Sequence, residues 1–151
     1  MSSTTINFYT EEITYRLANK VALRKWIKNT ILAEGFKAGA INFILCSDEY
    51  LHRINVTYLQ HDTYTDIITF DTSEDEYYIE GDLFISVERT TENAKKFTVS
   101  ADDELHRVMI HGILHLCGYL DKKPADKTLM TSKENEYLAA RDFTTKEKGP
   151  L

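Results

Sequence analysis

The chain has 151 residues, 42% hydrophobic and 28% charged, the composition of an ordinary globular domain. No run approaches 18 uncharged apolar residues, which excludes a membrane-spanning helix, and two cysteines are too few for a disulfide framework. A net charge of −6 argues against a sequence-blind DNA coat, but residues 1–60 carry +2 and residues 61–151 carry −8, so an acidic body can still bear a local anion-binding face.

In chain order, Ile6–Tyr9 reads as a first strand. A helix is expected from about Thr14 to Glu34, because Leu23, Ile27 and Ile31 recur every four residues beside Trp26; Gly35 caps its end. Ile41–Leu45 alternates as a strand does. Ser47 or Asp48 caps a helix running to about Tyr58. Asp66–Asp71 and Tyr78–Val87 read as two more strands joined by an acidic turn, with Gly81 as a bulge or close-approach point. Ser86 caps a short helix through Lys96. Ser100 and Asp103 resemble a capping box for a helix over Ala101–Cys117, which Gly118 ends. After a loop at Lys122–Pro124, a last helix carries Leu129, Met130, Tyr137 and Leu138. The order β-α-β-α-β-β-α-α-α predicts an α+β (α/β-like) fold, a small mixed sheet of about four strands covered by about five helices. Residues 1–143 are expected to form one domain, with the polar end Thr144–Leu151 a flexible tail. The start MSSTTINF lacks the basic and apolar regions of a signal peptide, so a reducing cytoplasm is expected.

The sharpest chemical feature is HGILHLCGYLD, residues 111–121. His111 and His115 lie four apart on a predicted helix, which puts both imidazoles on one face, as two ligands of one metal must be. Five histidines give this spacing by chance in roughly one such sequence in eight, so the pair alone is weak. Gly118 adds to it, because it lets the chain turn back and bring Asp121 to the same point. Three protein ligands with a fourth position open is the catalytic form of a zinc site. The outer spacing is zincin-like, yet the Glu that serves zinc peptidases as base is here Gly112. Cys117 points about 200° from His115 around the helix and is not counted as a ligand. His52, His61 and His106 have no partner at ligand spacing. Asp66 and Asp82 are expected to bond backbone rather than to catalyse. Arg16, Lys20, Arg24 and Lys28 step by four and form a candidate phosphate-tracking ridge.

The run HGILHLCGY closely resembles the signature of the YbeY family of bacterial endoribonucleases, also called rRNA maturation factors. Asn55 and Tyr58, TDIITF at 65–70, GDLFIS at 81–86, Glu104–Leu105, and Met130 with Glu134 resemble further stretches of that family. The resemblance implies a metal-dependent, single-strand-specific endoribonuclease that acts in ribosomal RNA processing, at the 3′ end of the small-subunit RNA, and in ribosome quality control. It implies one Zn2+ per chain, held by three histidines, of which the first two fall on His111 and His115. It implies small-subunit RNA and proteins as partners, no membrane and no nucleotide cofactor. Two departures stand out. The third histidine is replaced by Asp121, also a competent zinc ligand, and the family's functional arginine, next to Tyr58, is Leu59. Together the readings nominate His111, His115 and Asp121 as metal ligands and catalytic centre. The competing readings are a ribosome-assembly factor with a structural or vestigial metal, which Leu59 favours, and a metalloprotease, which Gly112 disfavours.

Overall fold

The computed structural model describes residues 5–143. Its elements are β1 (Thr5–Glu11), α1 (Lys20–Ala33), β2 (Lys37–Cys46), α2 (Asp48–Leu59), β3 (Ile67–Asp71), β4 (Tyr78–Ser86), α3 (Val87–Phe97), α4 (Ala101–Leu116) and α5 (Pro124–Ala139). The expected order holds throughout, and the expected tail Thr144–Leu151 lies outside the described residues. Among the described residues no helix is long and apolar enough to cross a membrane.

The strands form one mixed sheet in the order β1-β2-β4-β3. β1, β2 and β4 run parallel, and β3 pairs antiparallel with β4 at the edge. Strand alternation divides the side chains between two faces. Phe43, Leu45, Leu83 and Ile85 join Leu23, Ile27, Ile31, Met109 and Ile110 in the main core, beneath α1 and α4. Cys46, Ile68, Phe70 and Phe84 face the other way and pack with Leu51 and Ile54 of α2. α4 is buried on most of its surface, which its apolar run Val108–Leu116 permits.

Two element starts differ from the sequence reading. α1 begins at Lys20, not near Thr14. Ile13, Tyr15 and Leu17 recur every two residues rather than every four, and all three pack against the main core from an extended segment. Asn19, in the left-handed region at φ 63, then turns the chain into the helix. α5 begins at Pro124, five residues before the apolar pattern shows, because proline at a first helical turn forfeits no hydrogen bond. Gly81 is a close-approach position, as expected: a Cβ there would lie 2.7 Å from the Phe70 carbonyl oxygen. The bulge is in β2, where Gly39 and Ala40 lie across from Glu80 and the register shifts between Ala38 and Ile41.

Candidate metal centre

Caps on both ends fix α4. The Ser100 hydroxyl accepts the Asp103 amide at 3.0 Å, and three acidic residues in the first turn favour the positive end of the helix dipole. At the other end Gly118, at φ +106, closes a Schellman motif: its amide reaches the His115 carbonyl, and the Tyr119 amide reaches that of Leu114, both at 3.0 Å. The reversal returns Asp121 to the face of α4 that carries the histidines.

Three ligand atoms meet there. The Nε2 atoms of His111 and His115 are 3.1 Å apart, and Asp121 Oδ2 is 3.2 Å from each. The other ring nitrogens are occupied. His115 Nδ1 donates to the Tyr119 carbonyl at 2.9 Å, and His111 Nδ1 donates to Glu134 Oε2 at 2.6 Å. A carbonyl can only accept, so the His115 proton sits on Nδ1 and Nε2 presents a lone pair. With His111 neutral, two lone pairs and a carboxylate oxygen face one another, an arrangement that a cation among them relieves. The triangle's edges are close to the roughly 3.3 Å between ligand atoms of a tetrahedral zinc with bonds of about 2.0–2.1 Å. The donor set therefore fits a divalent metal, and these are the described residues that can hold one.

The surroundings are anionic. Burial alone would lower the His111 pKa; the bond to Glu134 and the carboxylates of Glu134, Asp121 and Asp66 outweigh it and hold the group above its ordinary value. Glu134, 9% exposed at its side chain, also accepts Arg107 Nη1 at 2.8 Å, while Arg107 Nη2 donates to Asn135. Burial raises the Asp66 carboxyl above the usual range, against the opposing charge of His111. Glu104, 5% exposed, is likewise raised, by burial and then by Asp66. The site opens into a cleft of about 660 Å³, whose walls include Asn55 and Leu59 of α2, Thr69 of β3, Asp66 and Lys122.

The nominated residues divide clearly. His111, His115 and Asp121 come together. Leu59 lines the cleft where the resemblance puts an arginine. The basic ridge does not reach the cleft: Arg16 precedes α1, and Arg24 is committed to β1, with Nε donating to the Ile6 carbonyl at 2.8 Å and the guanidinium 5.3 Å from the Phe8 ring centroid. Cys117 packs against the core, its thiol pushed up to about 12 by burial. Asp66 accepts the backbone amides expected of it, yet it also lines the cleft. Asp82 instead accepts the Asn42 side chain at 3.0 Å. The sequence reading named Glu134 only as part of a family-like stretch and Asp66 only as a backbone-bonding carboxylate; the bond of Glu134 to His111 and the place of Asp66 in the cleft come from the packing of distant segments.

The comparisons with known proteins agree. The family model described as endoribonuclease YbeY matches residues 5–142. The endoribonuclease YbeY of Flavobacterium johnsoniae is 53% identical over 134 residues, 89% of this chain and 95% of that protein. That of Cytophaga hutchinsonii is 45% identical over 143 residues, 95% of this chain and all of the relative. The solution structure of TM1509 from Thermotoga maritima is similar at a TM-score of 0.63 and 26% identity, covering 89% of this chain and 87% of that one. The matched span takes in every strand and helix among the described residues and the three converging side chains, so the chain belongs to the endoribonuclease YbeY family.

Proposed function

We propose that this chain is a metal-dependent endoribonuclease that cuts single-stranded ribosomal RNA, at the 3′ end of the small-subunit RNA, working in the cytoplasm as one domain over residues 1–143. Zn2+ is the proposed metal, since two imidazole nitrogens and one carboxylate suit it, with other divalent ions admissible. Small-subunit particles are the proposed partner. The observation that carries the reading is the convergence of His111, His115 and Asp121 to within 3.1–3.2 Å on the wall of an open cleft, in a chain of this family.

Bound there, zinc supplies Lewis acidity towards a phosphoryl oxygen and towards water. The protein does the rest. Glu134 and the Tyr119 carbonyl keep a proton on each Nδ1, so both Nε2 atoms face the cleft. Lys122 lines the cleft and offers its ammonium to a phosphate. Asp66, a carboxylate in the same cleft that burial raises above the usual range, is placed to serve as the base for an attacking water. Lys20 and Lys28 on α1 add long-range attraction for the polyanion.

The test is cleavage of a single-stranded RNA from the small-subunit 3′ region by protein loaded with one equivalent of zinc. A chelator and His111→Ala are each expected to cut the rate by more than about a hundredfold, beyond what loss of an outer partner costs. Cleavage indifferent to both overturns the proposal. No cleavage, with binding to small-subunit particles intact in His111→Ala, moves the reading to an assembly factor.

A further inference from the structure

The C-terminal ends of α1 and α4 meet at one carboxylate. Glu34 caps α1, followed by Gly35 at φ +91 and a second Schellman closure, Gly35 N to Leu32 O and Phe36 N to Ile31 O. Its side chain, 10% exposed, lies inward. Oε1 accepts the Tyr119 hydroxyl at 2.7 Å, Oε2 accepts that of Tyr137 on α5, and Lys133 Nζ stands 3.4 Å from Oε2. A carboxylate here is costly in isolation, because it is shielded from water and sits at the negative end of its helix dipole. Those three donors offset that cost and hold the group charged, below the usual carboxylate range in spite of burial.

Tyr119 is the residue through which this matters. Its amide closes α4, and its carbonyl accepts His115 Nδ1. Two residues on, the chain delivers Asp121. The Tyr119 side chain thus anchors the peptide on which two of the three converging groups depend, and Glu34 is that side chain's hydrogen-bond partner.

We infer that Glu34 is a positioning residue for the metal centre, acting through the Tyr119 hydroxyl to set the direction of the loop that orients His115 and presents Asp121. The inference rests on the metal-dependent reading and extends it to a group 85 residues from Tyr119 in sequence.

Tyr119→Phe and Tyr137→Phe each delete one hydroxyl bonded to the same carboxylate, and only the first touches the loop. Zinc affinity is measured by competition with a chelating dye, beside thermal melting of the metal-free proteins. Tyr119→Phe is expected to bind zinc roughly tenfold more weakly and Tyr137→Phe within about twofold of wild type, the scale on which outer partners tune a metal site. The two metal-free melting temperatures fall alike. Glu34→Gln, which keeps an acceptor for Tyr119, retains most of the affinity that Glu34→Ala loses. Wild-type affinity in Tyr119→Phe, or equal losses in the two tyrosine variants, overturns the inference. Absence of zinc binding by the wild-type protein overturns the metal reading itself, and this inference with it.

Discussion

His111 and His115 owe their orientation to different partners, and the difference is testable. The partner of His115 is a main-chain carbonyl, which no side-chain substitution removes. The partner of His111 is the Glu134 carboxylate, itself held by Arg107. A carboxylate behind a ligating imidazole fixes its tautomer and raises its basicity. Glu134→Gln leaves the packing volume and removes the charge. It is expected to weaken zinc binding by about tenfold or more without loss of fold, read by dye competition and circular dichroism. Unchanged affinity would mean that His111 is oriented by α4 alone.

At the scale of the element, α4 is pressed onto the sheet as well as carrying the site. Gly112 is the contact point. A Cβ there would lie 2.4 Å from Leu83 Cδ2, 2.8 Å from Ile67 Cδ1 and 3.2 Å from Thr69 Oγ1. Leu83 is fully buried, so its methyl has little room to yield. Gly112→Ala is accordingly expected to cost about 1–3 kcal/mol through overpacking, measured by urea unfolding. A full-length wild-type stability would show that α4 can ride away from β3 and β4. The same geometry bears on peptidase chemistry. The position that holds the general base in H-E-x-x-H peptidases faces the sheet here, where even a Cβ would crowd Leu83 and Ile67 and a glutamate side chain does not fit without displacing them.

Across the whole molecule, the end of the described chain is tied back to the metal helix by that helix's third histidine, which has a different task. His106, 2% exposed, packs between Trp26 and Phe143, and its Nδ1 accepts Arg141 Nη1 at 2.8 Å. Arginine only donates, so the ring is neutral. Burial, and then the Arg141 charge, push its pKa down to about 4, against the opposing Asp103. A histidine depressed in the folded state takes up a proton on unfolding between about pH 4 and 6.5, so stability falls as pH falls through that window. Between pH 7 and pH 4.5 the wild type should lose roughly 2 kcal/mol more than His106→Leu, by urea unfolding at the two pH values. Parallel losses would place the acid sensitivity in the carboxylates instead.

Much of this protein was legible one turn at a time. The four-residue spacing of His111 and His115, the glycine that ends their helix, the serine caps at 47, 86 and 100, and the alternation of the strands are all local. Their forces act within a few residues, so the sequence by itself determined the order of elements, and its motifs identified the family. It misjudged the start of α1, because the period-two run Ile13, Tyr15, Leu17 lies against a period-four helix with no glycine or proline between them. Other features were decided only when distant segments packed. Glu134 reaches His111 across 23 residues and Glu34 reaches Tyr119 across 85. Arg24 was drawn out of an apparent basic ridge to bond β1, and Asp66 was brought into the cleft by the pairing of β3 with β4. Hydrogen bonds between charged groups are set by where the buried faces of helix and sheet come to rest, and the local periodicity of the sequence carries no record of that position.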